Sequence, residues 1–241
     1  MITHRIIILC WSLVFFGTHS LKAVDSERPN IVFILADDLG YGDVKAFGKD
    51  KCNIDTPHFD RLCAEGMKFT NAHVTDSVCV PSRTSIMTGR YAFRFGKAEQ
   101  GGPWGFSGLR FPTTQHTLGR MFQSGGYTTG YVGKWHLGTR MTTRDGKIQQ
   151  SENTDFTKPI LIGPSDYGFD DCFFLPGSLD MFPYAFIRGK QWQGKVTAQK
   201  DWSAFHRVGP AAEDFLDTEV LPTFCDEAGK FIKARSGKDK P

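Results

Sequence analysis

The run NIVFILA, Asn30 to Ala36, is apolar at every position after its first, is rich in β-branched residues, and halts at Asp37-Asp38. A half-exposed strand alternates polar and apolar residues, and a surface helix keeps a polar face. An unbroken run of this length therefore points to a strand buried on both faces of a parallel sheet. Such a strand needs helices above and below it, and the rest of the chain must supply them.

The order of elements fits that demand. TPHFDRLCAEG offers Thr56 as a helix N-cap, Pro57 in the first turn, Phe59, Leu62 and Cys63 on one face, and Gly66 as the stop. MKFTNAHV, residues 67 to 74, then reads as a strand. HTLGRMFQSGG reads as a short helix closed by Gly125-Gly126, and YTTGYVG as the strand that follows it and delivers Lys134-Trp135-His136 to its end. Leu221, Phe224, Ala228, Phe231 and Ile232 fall at helical spacing near the C-terminus. Two stretches, 99–108 and 139–166, have the composition of loops, long enough to shape a site. The fold class is thus α/β, with a mostly parallel central sheet flanked by helices. The 21 phenylalanines and a hydrophobic content of 40% suffice for its core.

At the N-terminus, His4-Arg5 precede IIILCWSLVFFG, a run too short to span a bilayer but of signal-peptide length, with small-residue exits after Ser20 or Ala23. Residues 1–23 read as an export signal, giving a periplasmic or secreted protein (lysosomal in a eukaryote) with no stable membrane anchor. Beyond Cys10 five cysteines remain, Cys52, Cys63, Cys79, Cys172 and Cys225. An oxidising compartment would let four pair and leave one apart. The balance of 29 basic to 26 acidic residues, spread evenly, argues against a nucleic-acid partner.

In open α/β sheets ligands gather at the carboxyl ends of strands, where both Asp37-Asp38 and Lys134-Trp135-His136 fall. Adjacent carboxylates repel unless a cation or hydrogen bonds neutralise them, and hard oxygens suit Ca²⁺ or Mg²⁺. The same pair also occurs in solvated turns. Lys134 and His136, two apart, would share a face of an extended segment and could grip one anion. Equally, the lysine could snorkel and the histidine cap a carbonyl, with Trp135 in the core. In SVCVPSRTSIMTGR, Cys79 opens a short helix with Arg83 one turn along. A thiol so placed is either a thiolate nucleophile or a buried structural group, and neither role requires Pro81 and Arg83.

Cys79-Val80-Pro81-Ser82-Arg83, followed by Thr88-Gly89-Arg90, closely resembles the signature of the formylglycine-dependent (type I) sulfatases, arylsulfatase-like members of the alkaline-phosphatase superfamily. GYTTGYVGKWHLG, Gly126 to Gly138, resembles the second signature of that family. RPNIVFILADDLGYGD, Arg28 to Asp43, is similar to its metal-binding first strand, and GSLDMFPYAFI, Gly177 to Ile187, to its bacterial members. Val80 is bulkier than the residue usual there. The resemblance implies that a formylglycine-generating enzyme oxidises Cys79 to an aldehyde, and that Asp37, Asp38 and the modified Cys79 bind Ca²⁺ in preference to Mg²⁺. Hydrated, that aldehyde would attack sulfur through one hydroxyl and expel sulfate through the other. Arg83 would favour the attacking form, while Lys134 and His136 would hold the sulfate oxygens and the leaving oxygen. The substrate would be a sulfated small molecule or glycan.

Other classes stay compatible with these residues. A phosphoester or phosphonate hydrolase of the same superfamily could use the same site. An unmodified Cys79 would leave a silent anion- or glycan-binding module, and a thiol enzyme would need a Cys–His pair that is not apparent. Later family residues, an Asp-Asn pair, a histidine and a second lysine, find no match after Ile187, and His206 sits in a different context. Residues 24–241 therefore read as the N-terminal part of a sulfatase catalytic domain, inactive alone.

Overall fold

The computed structural model describes residues 28–201, 207–238 and 241. The expected signal segment 1–23, with Cys10, lies outside the described residues, as does His206. No helix among the described residues is long and apolar enough to cross a membrane. The chain divides into Met1–Asn30 and Ile31–Pro241, and every described element belongs to the second unit.

The fold is α/β, a sheet flanked by helices. Strands β1 (Gly130–Lys134) and β2 (Asp171–Leu175) pair in parallel, with Gly130 opposite Asp171 and Lys134 opposite Leu175. β3 (Ile187–Arg188) and β4 (Gln191–Trp192) then add antiparallel strands in the order β1-β2-β3-β4. A separate antiparallel pair joins β5 (Val196–Lys200) and β6 (Gly209–Ala212).

The strand buried on both faces is β2. Cys172 and Phe174 enter a core with Phe106, Phe111, Trp135 and Ile187, while Leu175 on the opposite face joins Tyr184, Ala211 and Phe215. Alternation along a strand distributes its side chains in this way, so DCFFL has to be apolar on both faces. Helix α5 (Val220–Arg235) closes the second face. Its Phe224 meets Phe173 edge-on at 6.1 Å, and a Cβ built on Gly130 of β1 would lie 2.8 Å from the Phe231 ring. That glycine lets helix and strand touch.

Two expected strands are absent. Residues 31–36 form no helix or strand and are exposed, Ile34 by 71%. Residues 67–74 are likewise irregular and exposed. An apolar run becomes a strand only when a neighbour accepts its backbone hydrogen bonds. Among the described residues no strand pairs with either segment. The helices behave as their sequences require. α1 is a single turn, Lys45–Gly48, and α2 spans Pro57–Glu65. α3 spans Cys79–Thr88 and ends on left-handed Gly89, and α4 spans Leu118–Ser124 with the Thr117 side chain accepting from the Arg120 amide. Thr56 precedes α2 as expected, but its side chain makes no cap bond. Its hydroxyl accepts from the Lys45 amide at 2.9 Å instead, tying α1 to α2.

The two long loops are bound together by one buried side chain. Gln149 donates to the carbonyls of Phe106 (2.9 Å) and Thr139 (2.8 Å) and accepts from the Met141 amide (2.6 Å). Buried polar groups persist only when so satisfied. All five described cysteines are free thiols, so the expected pairing of four does not occur among them. Cys172 is a core residue whose burial pushes its thiol up to about 12.

Candidate active site

The parallel register brings the ends of β1 and β2 together, and pairing continues beyond them. The Trp135 amide donates to the Leu175 carbonyl at 2.9 Å and the His136 amide to that of Pro176 at 3.1 Å. Trp135 is fully buried, its indole N–H bonded to the Gly138 carbonyl at 2.8 Å, and it belongs to the core as the sequence suggests. β1 ends at Lys134, and His136 adopts a left-handed backbone with φ 54°. Strand alternation therefore does not align Lys134 with His136, contrary to the extended geometry expected of them. Lys134 is nevertheless near enough for its charge to disfavour protonation of His136.

Three remote segments meet at one carboxylate. Asp37 Oδ1 accepts from Arg83 Nη2 at 3.0 Å, and Oδ2 from Lys134 Nζ at 2.6 Å. Burial by itself would raise the Asp37 carboxyl, but the hydrogen bonds and charges of Lys134 and Arg83 outweigh it and hold the group below the usual carboxylate range. Asp37 is thus a firmly ionised oxygen donor. Asp38 follows it with a left-handed backbone, φ 58°. Cys79 is the first residue of α3, and Arg83 lies one turn along on the same face. Its thiol is half-buried.

His136 is enclosed, 8% exposed, and its Nδ1 has no hydrogen-bond partner. Burial first, then the neighbouring cations Lys134 and Arg83, lower the imidazole to about 4. It is a neutral donor at physiological pH rather than a third cation. Among the described residues no three His, Cys, Asp or Glu side chains gather as a metal shell.

The structure adds two groups that the sequence did not single out. Tyr131 donates its hydroxyl to the Lys134 carbonyl at 2.5 Å. Asp180 acts on the charge of His136, and pairs with Arg207 at 2.5 Å while that guanidinium stands 3.7 Å above the Trp104 ring. No spacing rule marks either group, because each acts through a contact that only the folded chain creates. For Asp180, its place just past the end of β2 is the one available hint.

An α/β sheet with an ionised carboxylate, two cations and a neutral imidazole at its strand ends has the charges to hold an anion. The Sulfatase family model matches residues 29–233, and the chain belongs to that family. It is 39% identical over 163 residues to an N-acetylgalactosamine-6-O-sulfatase of Bacteroides thetaiotaomicron, covering 68% of this chain and 29% of that protein. It is 43% identical over 156 residues to arylsulfatase G of Canis lupus familiaris, covering 64% and 25%. A solved structure from work on glycosaminoglycan metabolism by Bacteroides thetaiotaomicron superposes with a TM-score of 0.72 at 27% identity, covering 89% of this chain and 50% of that one. The chain therefore spans about half the length of that solved relative, and its matches cover about a quarter to three-tenths of these curated ones.

Proposed function

We propose that these residues form the N-terminal part of a site that hydrolyses sulfate esters, aryl sulfates or sulfated carbohydrates, with Cys79 converted to formylglycine and Ca²⁺ bound beside it. The observation that carries this reading is the meeting of Arg83 and Lys134 on Asp37, which unites the three sequence motifs in one place. The donor set fits a hard divalent cation in kind. Asp37 is held ionised, Asp38 adjoins it, and conversion of Cys79 would replace a soft sulfur with an oxygen. Asp37, Asp38 and the modified Cys79 would hold the ion, which would supply positive charge next to the reacting oxygen.

Hydrated formylglycine would supply one hydroxyl to attack sulfur and a second whose proton loss lets sulfate depart. The chain's own side chains do the rest. Arg83 and Lys134 hold positive charge where a sulfate must sit, and an anion gaining charge in the transition state is stabilised by them more than the ground state is. Neutral His136 donates one hydrogen bond, suited to the bridging oxygen of the leaving alcohol. The maturation partner is a formylglycine-generating enzyme. Export, as the N-terminal run suggests, would accompany that maturation.

The test is a mass spectrum and an assay on the same preparation, a version continued to the relatives' length and co-expressed with the maturing enzyme. The Cys79 peptide should carry an aldehyde. Cys79→Ala should abolish turnover of an aryl sulfate, and Lys134→Ala should lower kcat by more than it raises KM. Full activity with an unreacted thiol would overturn the reading.

A further inference from the structure

Tyr131 lies three residues before Lys134 on β1, so alternation sends the two side chains to opposite faces. The phenol nevertheless serves Lys134 through its backbone. Tyr131 Oη donates to the Lys134 carbonyl at 2.5 Å, and Arg83 Nη1 donates to the same oxygen at 2.7 Å. A carbonyl oxygen has two lone pairs, and here both are used. One bond would have satisfied a buried carbonyl. The carbonyl's own burial does not call for the second donor, although the buried phenol gains an acceptor by it.

That carbonyl belongs to the peptide at which the chain leaves β1 and turns towards left-handed His136. Rotating this peptide would swing Lys134 and His136 out of place together, and would release one of the contacts that orient Arg83. The phenol itself cannot drift. Its ring packs edge-on against Trp135 and Phe169, each at 5.2 Å between centroids. It also remains a donor across the working pH range, because burial pushes its hydroxyl up to about 12 against the opposing pull of Arg83.

We propose that Tyr131 is a positioning residue, whose hydroxyl clamps the Lys134 peptide from behind and, through the shared carbonyl, fixes Lys134 and Arg83 as one anion-binding unit. This rests on the sulfatase reading for its purpose, but not for its geometry.

The test uses the full chain and Tyr131→Phe, which keeps the ring and removes only the hydroxyl. The first readout is hydrogen exchange at the Arg83 guanidinium, observed by NMR with labelled arginine and assigned against Arg83→Lys. The second is affinity for inorganic sulfate. Exchange should quicken by about tenfold and sulfate binding should weaken by several-fold, the scale of one lost hydrogen bond. The melting temperature is followed alongside. Loss of stability with unaltered Arg83 exchange would overturn the clamp in favour of simple packing. Should Tyr131→Phe fail to fold, 3-fluorotyrosine at position 131, a stronger donor, should slow the same exchange below that of the parent, and unaltered exchange there overturns the proposal too. If the parent binds no sulfate yet Tyr131→Phe still quickens Arg83 exchange, the clamp stands and the sulfate-site reading falls.

Discussion

His136 combines an enclosed imidazole, a partnerless Nδ1 and a pKa lowered to about 4. In the unfolded chain the same group titrates near an ordinary value of about 6.5. The unfolded state therefore takes up a proton first as pH falls. The contribution of His136 to stability is intact above about pH 6.5 and is lost as pH falls towards 4, by at most about 3 kcal/mol. His136→Gln should flatten the dependence of the melting temperature on pH across that window. An unchanged slope in the variant would assign the acid sensitivity to other groups. Of the site at this scale, Asp37, Arg83 and Lys134 were legible because each sits in a motif, and the structure joins them. The role of His136 as a neutral group was not, because its charge depends on enclosure by residues far away in sequence. Tyr131 was hidden for a related reason: it acts on a carbonyl, and sequence patterns describe side chains.

At the scale of elements, short-range signals were legible and long-range pairing was not. α3 begins at Cys79 and ends at left-handed Gly89, and α2 stops before Gly66, since caps and stops are decided within a few residues. The run at 31–36 has strand composition, but a strand also needs a neighbour, and composition cannot name one. Gly138 shows the opposite case, a glycine whose necessity appears only in three dimensions. Its φ is 81°, and a Cβ there would stand 2.1 Å from the Gly108 carbonyl oxygen. Gly138→Ala should therefore push apart the loop around Gly108 and the turn that follows His136. The expected cost is roughly 3 kcal/mol or more, read as a shift in the denaturant midpoint. A shift under about 0.5 kcal/mol, the range of ordinary surface substitutions, would mean that the loop yields easily.

For the whole molecule, class and family were legible from three motifs in order, whereas the capacity for turnover depends on how many ligands the folded chain brings to one point. Ca²⁺ takes about six to eight oxygen ligands. Under the reading proposed above, the donors are Asp37, Asp38 and, once converted, Cys79. Asp37 already has an oxygen bonded to each of Arg83 and Lys134. Water can complete a coordination shell but brings no negative charge to it, so affinity for the ion should be weak. The same two cations, occupied by Asp37, have fewer donors left for a sulfate. The exposed run at 31–36, with Val32 and Phe33 each 62% exposed, adds an apolar edge that favours self-association over a compact monomer. These 241 residues, even with Cys79 converted, should therefore turn over an aryl sulfate far more slowly than a version continued to the relatives' length, with Ca²⁺ added to both. Sedimentation of the shorter protein should show association that a lysine at Ile34 (Ile34→Lys) reduces. Comparable turnover from the two proteins would mean that these residues bind the ion and the sulfate well enough by themselves, and that the Asp37 ion pairs open readily when substrate arrives.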